Sequence, residues 1–441
     1  MRLQYTTRIW VGLAYFVILL CIALFARDIP NQYNPFDLTI SKLVQVSVMG
    51  DPASFATAAI DIAENGWISS ANEWILNLWP PGFVLLEAFI IKVFGIDTPI
   101  ILVLQIMASA LFSVVLLLLY EFLNEHINQK IALILPLLIF AFPVARVFLL
   151  EPIGISLGES FSVGFFLLAI LLSIRSVVQN SFRKAIYAGI FLALSAYFRS
   201  QFEIVLIILT GWGILLFIIS KIIRFQSPNI KSALKTIGVI LLVAHAVTIP
   251  WRVYHWVHQG SPLWVYTVSV TFGNAVSSSE FLESVHGGFV VAGGGNLVCR
   301  INPAACGDTA NAKELFIKTF LEHPLEWYSL KLGLIGKYWF SSIQNFVTVG
   351  VASTISDIVI NGSLLGMLIA ILYFLLNYKL KTDKLWLLLL WFNVSILSTY
   401  FIIFTIAHFE VRYFYFPKIV IITMFILLMF LHRKNKNKQY A

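Results

Sequence analysis

The carboxylate Asp51 follows Gly50 in the first long polar connection of the chain, which closes with a Pro80-Pro81 turn. A carboxylate in that setting can take a proton from a hydroxyl group, which is general-base chemistry. Glu159, at the start of a later apolar run, is the second candidate for acid–base work. Both acids could instead cap the helices that begin beside them, because Asp before a first-turn proline is a common start signal. Chemistry and capping therefore remain alternatives at both positions.

Basic side chains near the ends of other apolar runs could hold a phosphate group, because a guanidinium donates paired, charge-assisted hydrogen bonds to phosphate oxygens. The candidates are Arg199, Arg252 and Arg412. His408 and Lys337 are further candidates for contact with a substrate. The alternative is an anchoring role, since long basic side chains at span ends also reach lipid headgroups.

Composition decides the class of protein that must position these groups. Of the 441 residues, 59% are hydrophobic and 12% are charged, and the mean hydropathy is +0.87. Soluble domains carry about a quarter charged residues, so this chain is an integral membrane protein. Its apolar runs of about 17 to 25 residues match a hydrocarbon core of roughly 30 Å and predict helices rather than strands.

The apolar runs predict an all-α, polytopic membrane domain that occupies the whole chain, 1–441. We predict ten spans, at 9–26, 98–120, 131–148, 161–175, 184–198, 203–222, 235–250, 359–378, 385–406 and 414–431. The first is interpreted as a retained span, because no small-residue cleavage site follows it.

The positions of Lys and Arg predict the orientation of the spans. Nearly every short basic connection falls on one side, which places both termini in the cytoplasm. The exception is Glu121–Lys130, where two glutamates accompany a single lysine. We interpret the net charge of +8 as this topology signal and as contact with lipid headgroups. No basic-aromatic pattern indicates nucleic-acid binding.

Two long connections, 27–97 and 251–358, are then predicted to face the outer or periplasmic side of the cell or inner membrane. In the first, the segment 80–96 carries Glu87 and Lys92, and we predict an interfacial helix rather than a span. In the second, the Gly-rich stretch 286–296 lacks a following Lys-Ser/Thr, so we predict a loop and no nucleotide site. Cys299 and Cys306 in the same connection could form a disulfide or remain free thiols.

Six short motifs resemble, in order and over most of the chain, those of the polyprenol-dependent glycosyltransferases of the C-type fold. The similarity is to the protein mannosyltransferase and aminoarabinose transferase branch. The motifs are Gly50-Asp51 with Pro80-Pro81, Gly158-Glu159-Ser160, Ala188-Gly189 to Phe198-Arg199, Ile249-Pro250-Trp251-Arg252, Glu322-His323-Pro324 to Lys337, and His408-Phe409-Glu410-Val411-Arg412-Tyr413. The chain departs from the family where Pro52 follows Asp51 in place of a second acid, where Trp79 precedes Pro80, and where Arg252 directly follows Trp251.

The resemblance implies transfer of a sugar from a polyprenyl-phosphate donor to a hydroxyl of a glycan, lipid or protein acceptor on the outer face. Asp51 would be the base, with Glu159 as second acid, and Arg199, Arg252 and Arg412 would bind the donor phosphate. No cofactor is implied. The sequence has no Asp-x-Asp triplet and no His/Cys ligand cluster, so a metal is not indicated, although a carboxylate pair such as Asp51 with Glu159 could hold a divalent ion.

The competing class is a transporter or flippase of a lipid-linked anion. Such proteins usually carry inverted repeats, broken helices and ionisable groups deep within the spans. Here no repeat is evident and the charges collect at one predicted face, which favours the enzyme. Pro136 and Pro143 interrupt the third span, so the transporter remains an alternative.

The predicted topology can be tested by cysteine accessibility in whole cells. A cysteine at position 51 or 290 should react with a membrane-impermeant maleimide added outside, and one at position 180 only after permeabilisation. The opposite labelling pattern would invert the topology and remove the common face on which the candidate site depends.

Overall fold

A computed structural model describes residues 2–26, 34–45, 50–125, 127–150, 158–222, 228–260, 272–273, 275–276, 283–286, 289–293, 297–332, 351–376, 384–406, 409–410 and 415–437. Helices dominate, as composition predicts. The α-helices that start before residue 160 are α1 (Arg2–Phe25), α2 (Ile40–Gln45), α3 (Asp51–Asn65), α4 (Glu73–Leu78), α5 (Gly82–Phe94), α6 (Ile100–Asn124), α7 (Gln129–Ile134), α8 (Pro143–Leu150) and α9 (Glu159–Gln179). A 3₁₀ helix, Leu135–Ala141, joins α7 to α8.

The remaining elements include three short strands. The helices are α10 (Phe182–Phe198), α11 (Gln201–Ile222), α12 (Pro228–Gln259), α13 (Leu297–Ile301), α14 (Ala312–Glu322), α15 (324–332), α16 (Val351–Leu376), α17 (Lys384–Ile406) and α18 (Tyr415–Asn437). The strands are β1 (Glu283–His286), β2 (Phe289–Gly293) and β3 (Phe409–Glu410). They form one antiparallel sheet in the order β1-β2-β3.

Six helices of the described chain are long and apolar enough to cross a membrane, which makes this a helical membrane protein. They are Thr6–Phe25, Ile100–Asn124, Glu159–Gln179, Gln201–Ile222, Pro228–His258 and Lys384–Ile403. A seventh candidate is the pair Gln129–Ala141 and Val144–Leu150, bent by 80°. The other three predicted spans coincide with α10, α16 and α18, of which α10 has 17 residues.

The first span illustrates how these helices divide their surface between protein and lipid. Tyr15 and Leu19 are buried, while Trp10 and Val17 are 64% and 50% exposed. The Tyr15 hydroxyl donates to the carbonyl of Leu133 at 2.8 Å, so the polar end of a buried side chain finds a backbone acceptor. An apolar residue facing outward costs nothing in a bilayer, because lipid tails are as apolar as the side chain.

Close helix contacts depend on glycine. A Cβ atom at Gly189 would lie 2.7 Å from the Ile240 carbonyl, and one at Gly82 would lie 2.5 Å from the Tyr197 carbonyl. The first position brings α10 against α12, and the second brings α5 against the end of α10. Small residues allow such approach in membrane proteins, where packing rather than the hydrophobic effect joins helices.

One end of the bundle, which we call the basic end, gathers the charges of several helix termini. Arg8 on α1 forms an ion pair with Glu121 on α6 at 3.0 Å, and Arg175 on α9 pairs with the same carboxylate. Lys384 on α17 donates to Asn180 at 3.3 Å. Glu121, part of the exception to the positive-inside pattern, is thus paired with two arginines at the same end.

The first long connection folds into α2 to α5 and closes on itself. The N–H of Ile100 donates to the carbonyl of Leu38 at 3.1 Å, and Ser41 donates its hydroxyl to Asp97 at 2.7 Å. Asp61 on α3 accepts hydrogen bonds from the Ser69 hydroxyl at 2.5 Å and from Asn72 at 2.8 Å, which fixes the turn into α4. The connection is therefore a compact helical cap.

The segment 80–96 forms α5, whose 13 residues extend about 20 Å and fall short of the roughly 30 Å hydrocarbon core. Phe89 and Val93 on one side are 59% and 54% exposed, whereas Phe83 and Glu87 on the other are buried. The helix is thus too short to cross the core alone, and its interfacial position stays a prediction.

The second long connection contains a small core and a disulfide. Cys299 and Cys306 are bonded, which decides between the two alternatives left open by the sequence. Trp327, Phe316 and Leu297 are buried in the same cluster. The prediction of a loop for the Gly-rich stretch 286–296 is partly wrong, because Phe289–Gly293 forms β2. The β-branched and aromatic residues of Phe-Val-Val favour a strand over a loop.

Glu87 generates a prediction about pH. Its carboxyl group is fully buried, neither oxygen has a hydrogen-bond partner among the described residues, and burial raises the pKa of Glu87 well above its usual value. Between the unfolded and folded pKa the folded chain binds more protons, so stability should fall as pH rises from about 4.5, by up to about 1.4 kcal/mol per pH unit. Glu87→Gln should remove this slope and raise the thermal midpoint at pH 8, measured in detergent between pH 5 and pH 8.

The matched control is Glu64→Gln, which neutralises an exposed acid on α3. It should leave the pH dependence of the midpoint unchanged. An equal slope in wild type and Glu87→Gln would show that Glu87 is ionised in the folded protein.

Candidate functional site

Two of the predicted site residues form an ion pair with each other. Glu159 is the first residue of α9 and Arg199 is the C-cap of α10. The Arg199 guanidinium donates to one carboxylate oxygen, Oε1, from Nη2 at 2.7 Å and from Nε at 2.9 Å. The two side chains are 2% and 8% exposed. This pair joins the start of one helix to the end of the next.

The pairing changes what each residue can do. Oε1 of Glu159 already accepts two charge-assisted hydrogen bonds from the Arg199 guanidinium. Glu159 is therefore better suited to orient Arg199 than to take a substrate proton, and the role of second acid stays a prediction. Tyr400 on α17 lies within electrostatic reach of Glu159, which adds a third helix to the site.

A second charged pair has its carboxylate four residues after Arg199 and its guanidinium on α12. The turn from α10 to α11 is closed by the Phe202 N–H, which donates to the Arg199 carbonyl at 3.0 Å. Glu203 in the first turn of α11 is fully buried, and its Oε1 lies 3.7 Å from Nε of Arg252 on α12. We call the bundle end with these two pairs the site end.

Arg252 is held by a histidine. Its Nη1 lies 2.9 Å from Nδ1 of His245, and the histidine Nε2 lies 2.8 Å from the Thr210 hydroxyl. Because the guanidinium only donates, Nδ1 accepts and Nε2 carries the proton. Nε and Nη2 of Arg252 are buried and donate no hydrogen bond within the described residues. These donors could hold an anionic oxygen.

Asp51 begins α3 and is partly exposed, one turn before Phe55. The Phe55 ring meets the Phe83 ring at 5.7 Å. Phe83 in turn lies against Gly158, where an added Cβ would be 3.3 Å from its side chain. This chain of contacts connects the first turn of α3 to the residue before Glu159. The N-cap residue of α3 is Gly50, which has no side chain, so Asp51 is not the N-cap; it occupies the first turn, where its charge interacts favourably with the helix dipole.

The first long connection also contacts the end of α12. The Tyr254 hydroxyl donates to Glu73 at 3.3 Å, and His258 Nε2 lies 3.6 Å from the same carboxylate oxygen. The Tyr254 ring packs edge-on against Trp67 at 5.6 Å and stacks on Trp251 at 4.6 Å. The helical cap is thereby fixed over the site end of the bundle.

The other predicted site residues, Arg412, His408 and Lys337, lie outside the described residues. Three residues of the site were given no role from sequence: Glu203, His245 and Tyr400. Glu203 belongs to the charges predicted at the outer ends of the spans, four residues after Arg199. His245 and Tyr400 lie within apolar runs and carry no such signal.

Two further observations concern metal-binding side chains and a buried lysine. Among the described residues, no group of three or more His, Cys, Asp or Glu side chains could hold a metal ion. Lys331 on α15 is 1% exposed, and burial lowers the pKa of Lys331 to about 7.

Comparison of the chain with protein-family models, with curated proteins and with solved structures finds no match. The resemblance to glycosyltransferases therefore rests on the six motifs alone.

A double-mutant cycle can test the Glu159–Arg199 pair. Removing one member leaves an unpaired buried charge, so Arg199→Met and Glu159→Gln should each destabilise the protein, Arg199→Met by about 3–5 kcal/mol. Together they should cost less than the sum, because neither charge is then left alone. Thermal unfolding in detergent supplies the four midpoints.

Arg183→Met is the matched control, because Arg183 is exposed near the start of α10. Its combination with Glu159→Gln should be additive. Additivity of Arg199→Met with Glu159→Gln would contradict the pair.

Proposed function

We propose that this protein transfers a sugar from a polyprenyl-phosphate donor to a hydroxyl acceptor at the site end of its helix bundle. The observation that carries the proposal is the presence of two carboxylate–guanidinium pairs, with Glu159, Arg199 and Glu203 buried and Arg252 partly buried, beneath the helical cap that holds Asp51. Ionisable groups at a membrane edge are costly and persist where they bind polar substrates or line a cavity.

In the proposed reaction the acceptor oxygen attacks the anomeric carbon of the sugar. A new carbon–oxygen bond forms as the bond from that carbon to the lipid phosphate breaks, and the phosphate leaves with the electron pair. Asp51 takes the proton from the acceptor hydroxyl. The polyprenyl phosphate or diphosphate anion that leaves is a stable leaving group, so no acid is needed to protonate it.

Arg252 is the best-placed described residue for the donor phosphate. Its buried Nε and Nη2 donate no hydrogen bond within the described residues, and His245 fixes the orientation of the guanidinium. A preorganised donor in a water-poor site stabilises a departing anion more than a mobile one does. Arg199 contributes positive charge while Glu159 keeps it in place, and Arg412, His408 and Lys337 remain candidates for further substrate contacts.

The proposal includes an orientation and a fold. The basic end, with Arg8, Arg175 and Lys384, would face the cytoplasm together with both termini, and the site end would face the outer side. With α10, α16, α18 and the bent pair counted as spans, the chain would cross the membrane ten times, as expected for the C-type glycosyltransferase fold that the motifs resemble.

A second candidate function has one observation in its favour. The pair Gln129–Ala141 and Val144–Leu150 is bent by 80°, and Arg146 after the bend donates to the carbonyl of Ala141 at 2.7 Å. Broken helices with exposed carbonyls are typical of transporters. A transporter or flippase of a lipid-linked anion would place its substrate beside this break.

Asp51→Asn tests the proposed enzyme. Loss of the base should lower transfer by about 10²-fold or more, because general-base catalysis contributes 10²–10⁴-fold. In cells, mass spectrometry should then detect unconsumed lipid-linked sugar and a surface glycan, lipid or protein that lacks the added sugar. The amount of folded protein in the membrane should equal that of wild type.

Asp37→Asn is the control, since Asp37 is an exposed acid in the same connection. It should preserve transfer. Normal transfer by Asp51→Asn would refute the base assignment, and a shift of intact lipid-linked sugar between leaflets without any change in transfer would favour the transporter.

A further inference from the structure

The second long connection contains two consecutive helices, α14 and α15, that present apolar side chains to the outside. On α15, Leu325 and Leu332 are 87% and 64% exposed. On α14, Leu321 is 68% exposed. Large apolar side chains exposed in a group mark a surface that something covers.

The two exposed leucines of α15 and the half-buried Tyr328 lie on one face. Leu325, Tyr328 and Leu332 are spaced by three and four residues, so they form one stripe along the helix. The opposite face contains Trp327 and Lys331, which are 0% and 1% exposed. One face of the helix therefore packs in a protein core, and the other face is apolar and exposed.

The stripe continues onto a helix that crosses the membrane. The Tyr328 ring stacks on the Phe401 ring, with 6.2 Å between centroids and 14° between planes. Phe401 lies in the last turns of the candidate span on α17, and its side chain is 62% exposed. An exposed aromatic residue at the end of a span faces the lipid boundary, where aromatic side chains concentrate.

The depth of the stripe follows from this contact. Leu325 and Leu332 are three and four residues from Tyr328, which is about 5 to 6 Å along the helix axis. Interfacial helices bury their apolar face roughly 5–10 Å into the boundary between headgroups and acyl chains. Both leucines thus lie within the reach of that boundary.

The charged neighbours are compatible with this position. Lys313 and Lys318 on α14 are exposed beside Leu321, and long basic side chains at an interface extend toward headgroups. Glu326 is exposed next to Leu325 and lies off the stripe. The disulfide between Cys299 and Cys306 and the buried Trp327 hold the rest of the connection together behind the stripe.

We propose that α15, with Leu321 of α14, docks on the lipid bilayer through the stripe Leu321, Leu325, Tyr328 and Leu332. The occupant of this surface is the headgroup and upper acyl region of the leaflet at the site end. The second long connection is thereby attached to the membrane at a point away from the ends of its flanking spans. The proposal does not depend on the reaction catalysed.

The test uses nitroxide labels at single cysteines on the full chain, in a Cys21→Ser background that keeps the disulfide. The variants are Leu325→Cys and Leu332→Cys on the stripe, with Glu326→Cys and Lys318→Cys as exposed controls. The protein is reconstituted into vesicles of phosphatidylethanolamine and phosphatidylglycerol. Collision rates with oxygen, which concentrates in lipid, are compared with those of a water-soluble nickel chelate.

Labels at 325 and 332 should have an oxygen-to-nickel ratio several-fold higher than labels at 318 and 326. Equal ratios at all four positions would overturn the proposal. Protection of 325 and 332 in cell membranes, but not in vesicles of purified protein, would also overturn it and point to a protein partner.

A second measurement keeps the test independent of how well one label is tolerated. Adding Leu325→Glu to the label at 332 should shift that label toward nickel accessibility, because the charge opposes insertion. Leu325→Met, which keeps the position apolar, should not. An unchanged label at 332 in the Leu325→Glu variant would contradict docking through the stripe.

Discussion

The ion pair between Glu159 and Arg199 is the contact on which the site end depends. Two charges buried at a membrane edge are tolerated only as a pair, because either alone would lose its hydration without compensation. The pair fixes the start of α9 against the end of α10. The turn after Arg199 then places Glu203 next to Arg252 of α12, which also contacts His245. Electrostatic pairing thus sets the order of four helix ends.

The same constraint separates the two ends of the bundle. At the basic end, two arginines from α1 and α9 share the single carboxylate of Glu121. At the site end, each described arginine has a carboxylate of its own, and Nη2 of Arg252 donates no hydrogen bond within the described residues. A substrate anion would complete a set of interactions that the chain leaves incomplete. The helical cap over this end would limit access to water.

Sequence alone predicted the helical membrane class and the candidate charges, because hydropathy and charge are local signals. It did not predict that Glu159 would pair with Arg199, since the two are 40 positions apart and the contact arises from packing of α9 on α10. His245 lies within an apolar run that gives no sign of its contact with Arg252. The strand at Phe289–Gly293 was missed because glycines outweighed a short β-branched run.

The first long connection has a consequence for how this chain tolerates change. Its two ends meet where Thr39 pairs with Pro99 and where Leu38 accepts from Ile100, so the loop has a narrow neck. Loops of this closed kind carry their own packing. The length of the connection beyond this neck can therefore change without altering the register of α1 on α6, except at α5, which contacts the end of α10 through Gly82.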